Sequence, residues 1–147
     1  MTQERGVRVA PGSGEAEPLA VVAAAIVREG RLLVVSKRAA PDVFYLPGGK
    51  PDAGEEPLES LVRELDEELG VEPRRPRLLA EVESVAVLED VPMRLTLFEA
   101  RIDRTPRPAA ELADMRWITG HETDIRLAPA VTDHVLPLLR RAGSMAP

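Results

Sequence analysis

The sequence predicts a single α/β domain, a sandwich built on a mixed β-sheet. Its 147 residues and apolar content of 44% suit one domain with a proper hydrophobic core. Short apolar runs bounded by Gly, Pro and Asp predict strands on both sides of one amphipathic helix in the middle of the chain. A second helical pattern closes the sequence. Strands and helices in this order are typical of an α/β sandwich with a mixed sheet.

Three strands are expected before the helix. The run from Leu19 to Val27 is rich in Val and Ala, and a Gly-containing turn separates it from the run Arg31 to Val35. Two strands joined by a short turn fit this pattern. A short third strand, Phe44 to Leu46, leads into Gly48-Gly49. Paired glycines indicate a backbone that turns tightly or approaches a ligand closely.

A helix is predicted from about Pro57 to Leu69, because apolar residues recur there at helical spacing. Pro57 suits the first turn of a helix, and Gly70 suits the left-handed residue that ends one. The stripe expected to face the core consists of Leu58, Leu61, Val62, Leu65 and Leu69.

The second half predicts more strands and a closing helix. Leu78 to Leu88 and Met93 to Arg101 have the composition of two strands, and Met115 to Ile118 of a short last one. A helix is expected from about Pro129 to Ala142. Pro137 lies inside it, and an interior proline removes a backbone donor, so a kink or a late start is expected there.

The central helix carries an unfavourable cluster of acids. Glu64, Asp66, Glu67 and Glu68 occupy four of five consecutive positions near its carboxyl end. Like charges three and four residues apart repel each other, and the negative end of the helix dipole adds to this cost. Glu64, Glu67 and Glu68 lie beside the apolar stripe, so we expect them to face out of the core toward something cationic. A carboxylate cluster in a chain without cysteine favours Mg²⁺, with Mn²⁺ as the other possibility, over Zn²⁺.

The spacing around this cluster resembles a known family motif. Gly49 is followed after five residues by Glu55, and after seven more by the run Arg63-Glu64-Leu65-Asp66-Glu67-Glu68-Leu69-Gly70-Val71. This arrangement is similar to the Nudix box at every fixed position. The resemblance implies a Nudix-type α/β/α sandwich and hydrolysis of a nucleoside diphosphate linked to another group.

The resemblance also implies roles for the residues of the box. Glu64, Glu67 and Glu68 are expected to coordinate the divalent cation, and Gly49 to present its backbone carbonyl to it. Glu67 is in addition a candidate to activate the attacking water. A solvated, acidic helix face is the structural alternative for the three glutamates.

Four further residues receive expected roles. An arginine can hold a carboxylate bidentately, and the resemblance gives Arg63 and Glu55 such an orienting role; a plain surface ion pair is the alternative.

Arg38 aligns with an arginine that contacts phosphate in the MutT-like branch, or else is a surface residue. Glu111 precedes Trp117 by six positions, as a loop carboxylate does in MutT-like members. It is therefore expected to bind metal or act as a base, with a solvated loop residue as the alternative.

Composition excludes several classes of protein. A formal net charge of −6 argues against a nucleic-acid polymer as the partner, because phosphate backbones attract clustered Lys and Arg. The absence of cysteine excludes disulfides, thiolate metal sites and the isomerase branch of the family, which uses a catalytic cysteine. Residues 1–17 have no apolar segment and are expected to be disordered, leaving 18–147 as the domain. We expect a cytoplasmic protein without a membrane anchor, and a homodimer is possible.

The MutT-like branch, acting on nucleoside triphosphates, remains after comparison with other branches. Ala86 and Val87 stand where ADP-ribose pyrophosphatases tend to carry proline, and the signatures of the dinucleoside polyphosphate, NADH and coenzyme A branches are missing. Val131 occupies the position where MutT carries an asparagine that reads oxidised guanine, and valine cannot hydrogen-bond a base. A nucleotide-binding sensor without catalysis is the alternative function. An RNA-decapping enzyme fits poorly with the acidic balance.

Overall fold

The computed structural model describes residues 17–147. Residues 1–16, which hold most of the segment expected to be disordered, lie outside the described residues. The strands are β1 (Leu19–Ala25), β2 (Val27–Arg28), β3 (Arg31–Lys37), β4 (Ala40–Tyr45), β5 (Gly48–Gly49), β6 (Pro73–Ala86), β7 (Val91–Ile102), β8 (Leu112–Ile118) and β9 (Arg126–Leu127). The helices are α1 (Pro57–Leu69), a π-helical turn (Val131–Val135) and α2 (Leu136–Arg141).

The strands form two mixed sheets. The first has four strands in the order β5-β1-β7-β6, with β1 parallel to β7 and the other neighbours antiparallel. The second has five strands: β9-β4-β3-β2, with β8 also paired to β3. In it β9 runs parallel to β4, and β3 pairs in antiparallel fashion with β2, β4 and β8. The predicted α/β fold with mixed strand directions is confirmed.

Two hydrophobic clusters place a helical layer on each side of the strands. Alternate residues of β1 and β3 point to opposite faces, as the period of a strand requires. On one face they meet Leu61 and Leu65 of α1. On the other face they meet Val135 and Leu139 from the C-terminal helical segment. The layers are therefore helix, strands, helix, the sandwich that the box motif implied.

Helix α1 has the predicted bounds, but its buried face is rotated about the helix axis relative to the predicted apolar stripe. Glu56 and Glu59 form a capping box at its start, and Gly70 ends it in the left-handed conformation, φ 66°. The predicted stripe is wrong at Leu58 and Val62, which are 38% and 40% exposed. The buried arc contains Leu61, Leu65 and Leu69 and extends on its other flank to Ser60 and Glu68. The helix therefore contacts the strands through its buried leucines together with one acidic residue, Glu68, and leaves Leu58 and Val62 partly exposed.

The closing helix is interrupted where Pro137 predicted a break. The chain is helical from Pro129, makes a π-helical turn over Val131–Val135, and continues as α2 from Leu136. Pro137 lies just after this π-helical turn, where its missing N–H removes one backbone hydrogen bond from the helical segment. The predicted helix from Pro129 is therefore present, and the predicted irregularity takes the form of a π-helical turn rather than a late start.

The strands of the second half are longer than local composition indicated. β6 begins at Pro73 rather than Leu78, and β7 extends to Ile102. The added residues are held by pairing between the two strands, with Pro73 opposite Ile102. Their own side chains are mostly exposed and charged, so no apolar alternation marks them in the sequence.

Replacing Leu65 by alanine should destabilise the protein by about 2 to 5 kcal/mol, because its side chain is fully buried under the sheets. Val62→Ala, one turn away on the exposed flank, should cost less than about 0.5 kcal/mol. Urea unfolding of both variants measures the difference. Equal losses would contradict the rotated face of α1.

Candidate active site

A cavity of about 420 Å³ opens between α1, the two sheets and the C-terminal segment. One wall is charged and includes side chains of α1 and of the loop that precedes it. The opposite wall is aliphatic and belongs to the hydrophobic cluster beneath the C-terminal helical segment, with Leu46, Met93, Leu95 and Val131 among its members. The cavity therefore combines a charged entrance with an apolar side that has no hydrogen-bonding side chains among these members.

Two glycines allow the chain to pass between β1 and α1. A Cβ atom on Gly48, which has φ 152°, would lie 2.0 Å from the carbonyl oxygen of Val22. A Cβ atom on Gly49 would lie 1.8 Å from Oε2 of Glu64. Because neither space admits a side chain, the backbone of β5 lies directly against the carboxylates of α1. The Gly48 N–H donates a hydrogen bond to Oε1 of Glu68 at 3.2 Å.

Glu64 and Glu68 both line the cavity, and Glu68 is 4% exposed. Burial, followed by the nearby charge of Glu64, raises the pKa of Glu68 from 4.5 to about 8, against the hydrogen bond from Gly48. Burial also raises the pKa of Glu64. The expectation that all three glutamates face out of the core is therefore wrong for Glu68. The rotation of α1 carries its carboxylate inward, against the glycine backbone.

Glu67 occupies a different position from its two neighbours. Its side chain is 54% exposed, and Oε1 lies 3.4 Å from Nη1 of Arg63. It does not line the cavity, unlike Glu64 and Glu68. Within residues 17–147, no three His, Asp or Glu side chains are close enough, as they stand, to form a metal-binding group.

Arg63 makes the bidentate contact that the sequence predicted. Nε donates to Oε2 of Glu55 at 2.8 Å, and Nη2 to Oε1 at 3.0 Å. Nη2 also donates to the carbonyl oxygen of Lys50 at 3.1 Å. The Arg63 guanidinium, with the N–H of Asp52, holds the pKa of Glu55 at about 2. Helix α1 is thus tied to both ends of the loop that follows Gly49.

The other two predicted residues lie at the end of β3 and just before β8. Glu111 lines the cavity and its Oε1 lies 3.3 Å from Nζ of Lys37. The backbone N–H of Arg38 donates to the carbonyl oxygen of Glu111 at 3.0 Å, while the Arg38 side chain is exposed and does not line the cavity. The lining cation at this point is Lys37, which the box motif does not include.

Other lining residues were also absent from the motif. Lys50 faces the cavity and pairs with Glu89 in the β6–β7 turn, Nζ to Oε2 at 3.4 Å. The Tyr45 ring lines the cavity too, and its buried hydroxyl has no hydrogen-bond partner within residues 17–147. Ala86 and Val87, which distinguish branches of the family, are lining residues as well.

The α/β/α sandwich and the cavity wall formed by residues of the motif define one class of protein. Comparisons with known proteins assign the chain to the same class. A family model described as NUDIX domain matches residues 17–139. The chain therefore belongs to the Nudix family, and it is a Nudix hydrolase, as the motif predicted. No curated protein matches its sequence significantly. None of the helices within residues 17–147 has the length and hydropathy needed to cross a membrane.

Solved structures give the same result in more detail. A MutT Nudix hydrolase from Burkholderia pseudomallei is 27% identical, with a TM-score of 0.72 over 84% of this chain and 99% of that one. The ORF135 protein of E. coli is 28% identical, with a TM-score of 0.67 over 95% of this chain and 100% of that one. The Nudix domain of Shewanella oneidensis NrtR, solved with ADP-ribose, is 19% identical, with a TM-score of 0.69 over 91% and 93%. The last similarity supports the fold alone.

The two glycines should respond differently to alanine. Gly48→Ala should cost about 1 to 3 kcal/mol of folding stability, because the new Cβ meets backbone atoms of β1 that cannot move aside. Gly49→Ala should keep most of the stability, since the end of the Glu64 side chain can swing away, but should lower hydrolase activity by displacing that carboxylate. Urea unfolding and activity assays on both variants test this. A stable, active Gly48→Ala protein would contradict the close approach of β5.

Glu68 should make the metal-free protein less stable as pH rises. Its pKa is raised on folding from 4.5 to about 8, so the folded state binds the proton more tightly. The contribution of this group to stability is therefore complete below about pH 4.5 and is lost toward pH 8, by at most about 1.4 kcal/mol per pH unit. Glu68→Gln should remove this part of the slope. Urea unfolding in the presence of EDTA, wild type against variant across this range, measures it; parallel pH profiles would contradict the burial of a charged Glu68.

Proposed function

We propose that this Nudix hydrolase is a Mg²⁺-dependent pyrophosphohydrolase, and that a nucleoside triphosphate is its first candidate substrate. The observation that supports this most is the cavity wall at Gly48–Gly49, where the carboxylates of Glu64 and Glu68, 16% and 4% exposed, line the same cavity as the cations of Lys37, Lys50 and Arg63. Such a wall suits a substrate whose phosphates need compensating positive charge.

The residues of this wall fit a divalent cation. Glu68 is a buried carboxylate that one backbone N–H hydrogen-bonds and that burial holds at a raised pKa. A cation beside it would offset the cost of its charge. The potential donors are all oxygens, which Mg²⁺ and Mn²⁺ prefer. Glu64, Glu67 and Glu68 would hold the ion, and the carbonyl of Gly49 is the further candidate. When bound, it supplies Lewis-acid stabilisation of phosphoryl oxygens.

The chain's own groups account for positioning and proton transfer. Arg63 and Glu55 hold the loop against α1 and so fix the backbone of Gly49 relative to the glutamates. Glu111 and Glu67 are the two candidates to take a proton from the attacking water. Glu111 already lines the cavity, and Glu67, whose side chain is 54% exposed beside Arg63, can turn toward it. A phosphate contact by Arg38 stays a prediction.

The aliphatic wall of the cavity is the candidate binding surface for the base of the nucleotide. Val131 is buried in that wall and offers only methyl groups. Ala128 and Ala130 beside it add no side-chain hydrogen bond either. A base placed there would be held by shape and apolar contact, since side chains that donate to or accept from its edge are missing at these positions. We infer broad use of nucleotides rather than strict selection of an oxidised guanine.

A panel of nucleoside triphosphates and nucleoside diphosphate derivatives, with Mg²⁺ or Mn²⁺, tests the function by released phosphate and pyrophosphate. Hydrolysis at a phosphoanhydride bond is expected. Glu67→Gln should lower kcat at least about a hundredfold. Asp66→Asn is the matched control, because it changes the adjacent exposed carboxylate of the same helix. Binding without products would favour the sensor, and full activity of Glu67→Gln would remove Glu67 from the mechanism.

A further inference from the structure

Both lysines of the chain line the cavity. The sequence has 19 basic residues, of which only Lys37 and Lys50 are lysines; all the others are arginines. Of the arginines within residues 17–147, Arg63 alone lines the same cavity. A chain that uses arginine everywhere else places a different cation at these two points, which indicates a chemical requirement that arginine does not meet.

The requirement follows from how the three cavity cations are held. Arg63 is fixed by a bidentate contact to Glu55 and a further bond to the Lys50 carbonyl. Among the described residues, 17–147, each lysine is instead held by a single carboxylate, Lys37 by Glu111 and Lys50 by Glu89. Lysine is a compact charge on a flexible stem, whereas arginine is a rigid fork suited to permanent pairing. The lysines can therefore change partners, and Arg63 cannot without releasing the loop.

The lysine ion pairs are weak enough to exchange. Their N to O distances are 3.3 and 3.4 Å, and the four side chains are between 31% and 62% exposed. Pairs of this kind contribute between zero and about 1 kcal/mol. Charge-assisted hydrogen bonds from an ammonium group to phosphate are of the same strong class as those to carboxylate, and a chain of linked phosphates offers several charged oxygens at once, so it can compete with a single glutamate for each lysine.

The two lysines also approach the cavity from different parts of the fold. Lys37 ends β3 in the five-stranded sheet, and Lys50 follows β5 in the four-stranded sheet. The Lys50 backbone is fixed by Arg63, so its side chain extends from a rigid point. A chain of linked phosphates lying between the sheets could be contacted by one lysine from each side.

We propose that Lys37 and Lys50 form a two-sided clamp for the phosphate chain of the substrate, and that each exchanges its cavity glutamate for a phosphate oxygen on binding. The proposal rests on the proposed function and names the part of the substrate that these residues recognise. The exchange frees Glu111 from Lys37 when substrate is present. It also releases the β6–β7 turn, which Glu89 ties to Lys50.

Having only two lysines makes the clamp directly observable. Reductive methylation with ¹³C-formaldehyde retains the charge and labels Lys37, Lys50 and the amino terminus. Lys37→Arg and Lys50→Arg each remove one signal and so assign the spectrum. With Mg²⁺ present, inorganic pyrophosphate should shift both lysine signals saturably. Sulfate at equal ionic strength should shift neither. Pyrophosphate that moves one lysine signal or none, or sulfate with the same effect, overturns the clamp.

Kinetics give an independent test on the substrate that the nucleotide panel identifies. Lys37→Met and Lys50→Met should each raise KM about tenfold or more, by loss of a charge-assisted contact. Arg31→Met, an exposed change at the far end of β3, is the control. A raised KM in Arg38→Met with Lys37→Met unchanged would assign the phosphate contact to Arg38 and overturn the role of Lys37.

The two proposals fail separately. Lysine signals that respond to pyrophosphate while no nucleotide is hydrolysed would remove the proposed enzymatic function and keep the clamp as a binding site. Hydrolysis of a nucleotide with unresponsive lysine signals and unchanged KM in both Lys→Met variants would retain the enzyme and remove the clamp.

Discussion

The close approach of the Gly48–Gly49 backbone to α1 determines the rest of the site. Strand β5 has only these two residues, and side chains at either would collide with β1 or with Glu64. Because glycine has no side chain, α1 lies close enough to β5 for Glu68 to accept a hydrogen bond from the Gly48 N–H. The pair of glycines thus brings a helix rich in carboxylates against a sheet edge, and it positions that helix before any ligand is present.

This contact explains why the acidic helix is tolerated. Burial makes the charged form of Glu68 unfavourable, as its raised pKa indicates, and the nearby charge of Glu64 adds repulsion. The opposing stabilisation comes from elsewhere on the same helix: Leu61, Leu65 and Leu69 are buried almost completely, and caps close both ends. Apolar packing fixes the position of α1 firmly enough to hold unfavourable charges where they are useful. Local strain of this kind is characteristic of functional sites.

The sequence predicted what depends on local signals and failed where tertiary contacts decide. The bounds of α1 follow from Pro57 and Gly70, and its terminal caps are local. The burial of Glu68 depends on which flank of the helix meets the glycine backbone, so the apolar pattern alone did not reveal it. At the end of β3, the pairing with β8 has a register shift between Ser36 and Lys37. Alternation from the strand core does not extend through such a bulge, and Lys37 was missed.

The charges lining the cavity suggest why the substrate and a cation belong together. Five carboxylates line it, those of Asp52, Glu64, Glu68, Glu89 and Glu111, against the three cations of Lys37, Lys50 and Arg63. Arg63 is already committed to Glu55, so an anion arriving alone would meet a surplus of negative charge and two weakly held ammonium groups. An added divalent charge would offset most of this surplus. The protein therefore supplies flexible cations for the phosphates but depends on its ligands to neutralise the carboxylates, which couples recognition of the substrate to occupancy of the acidic wall.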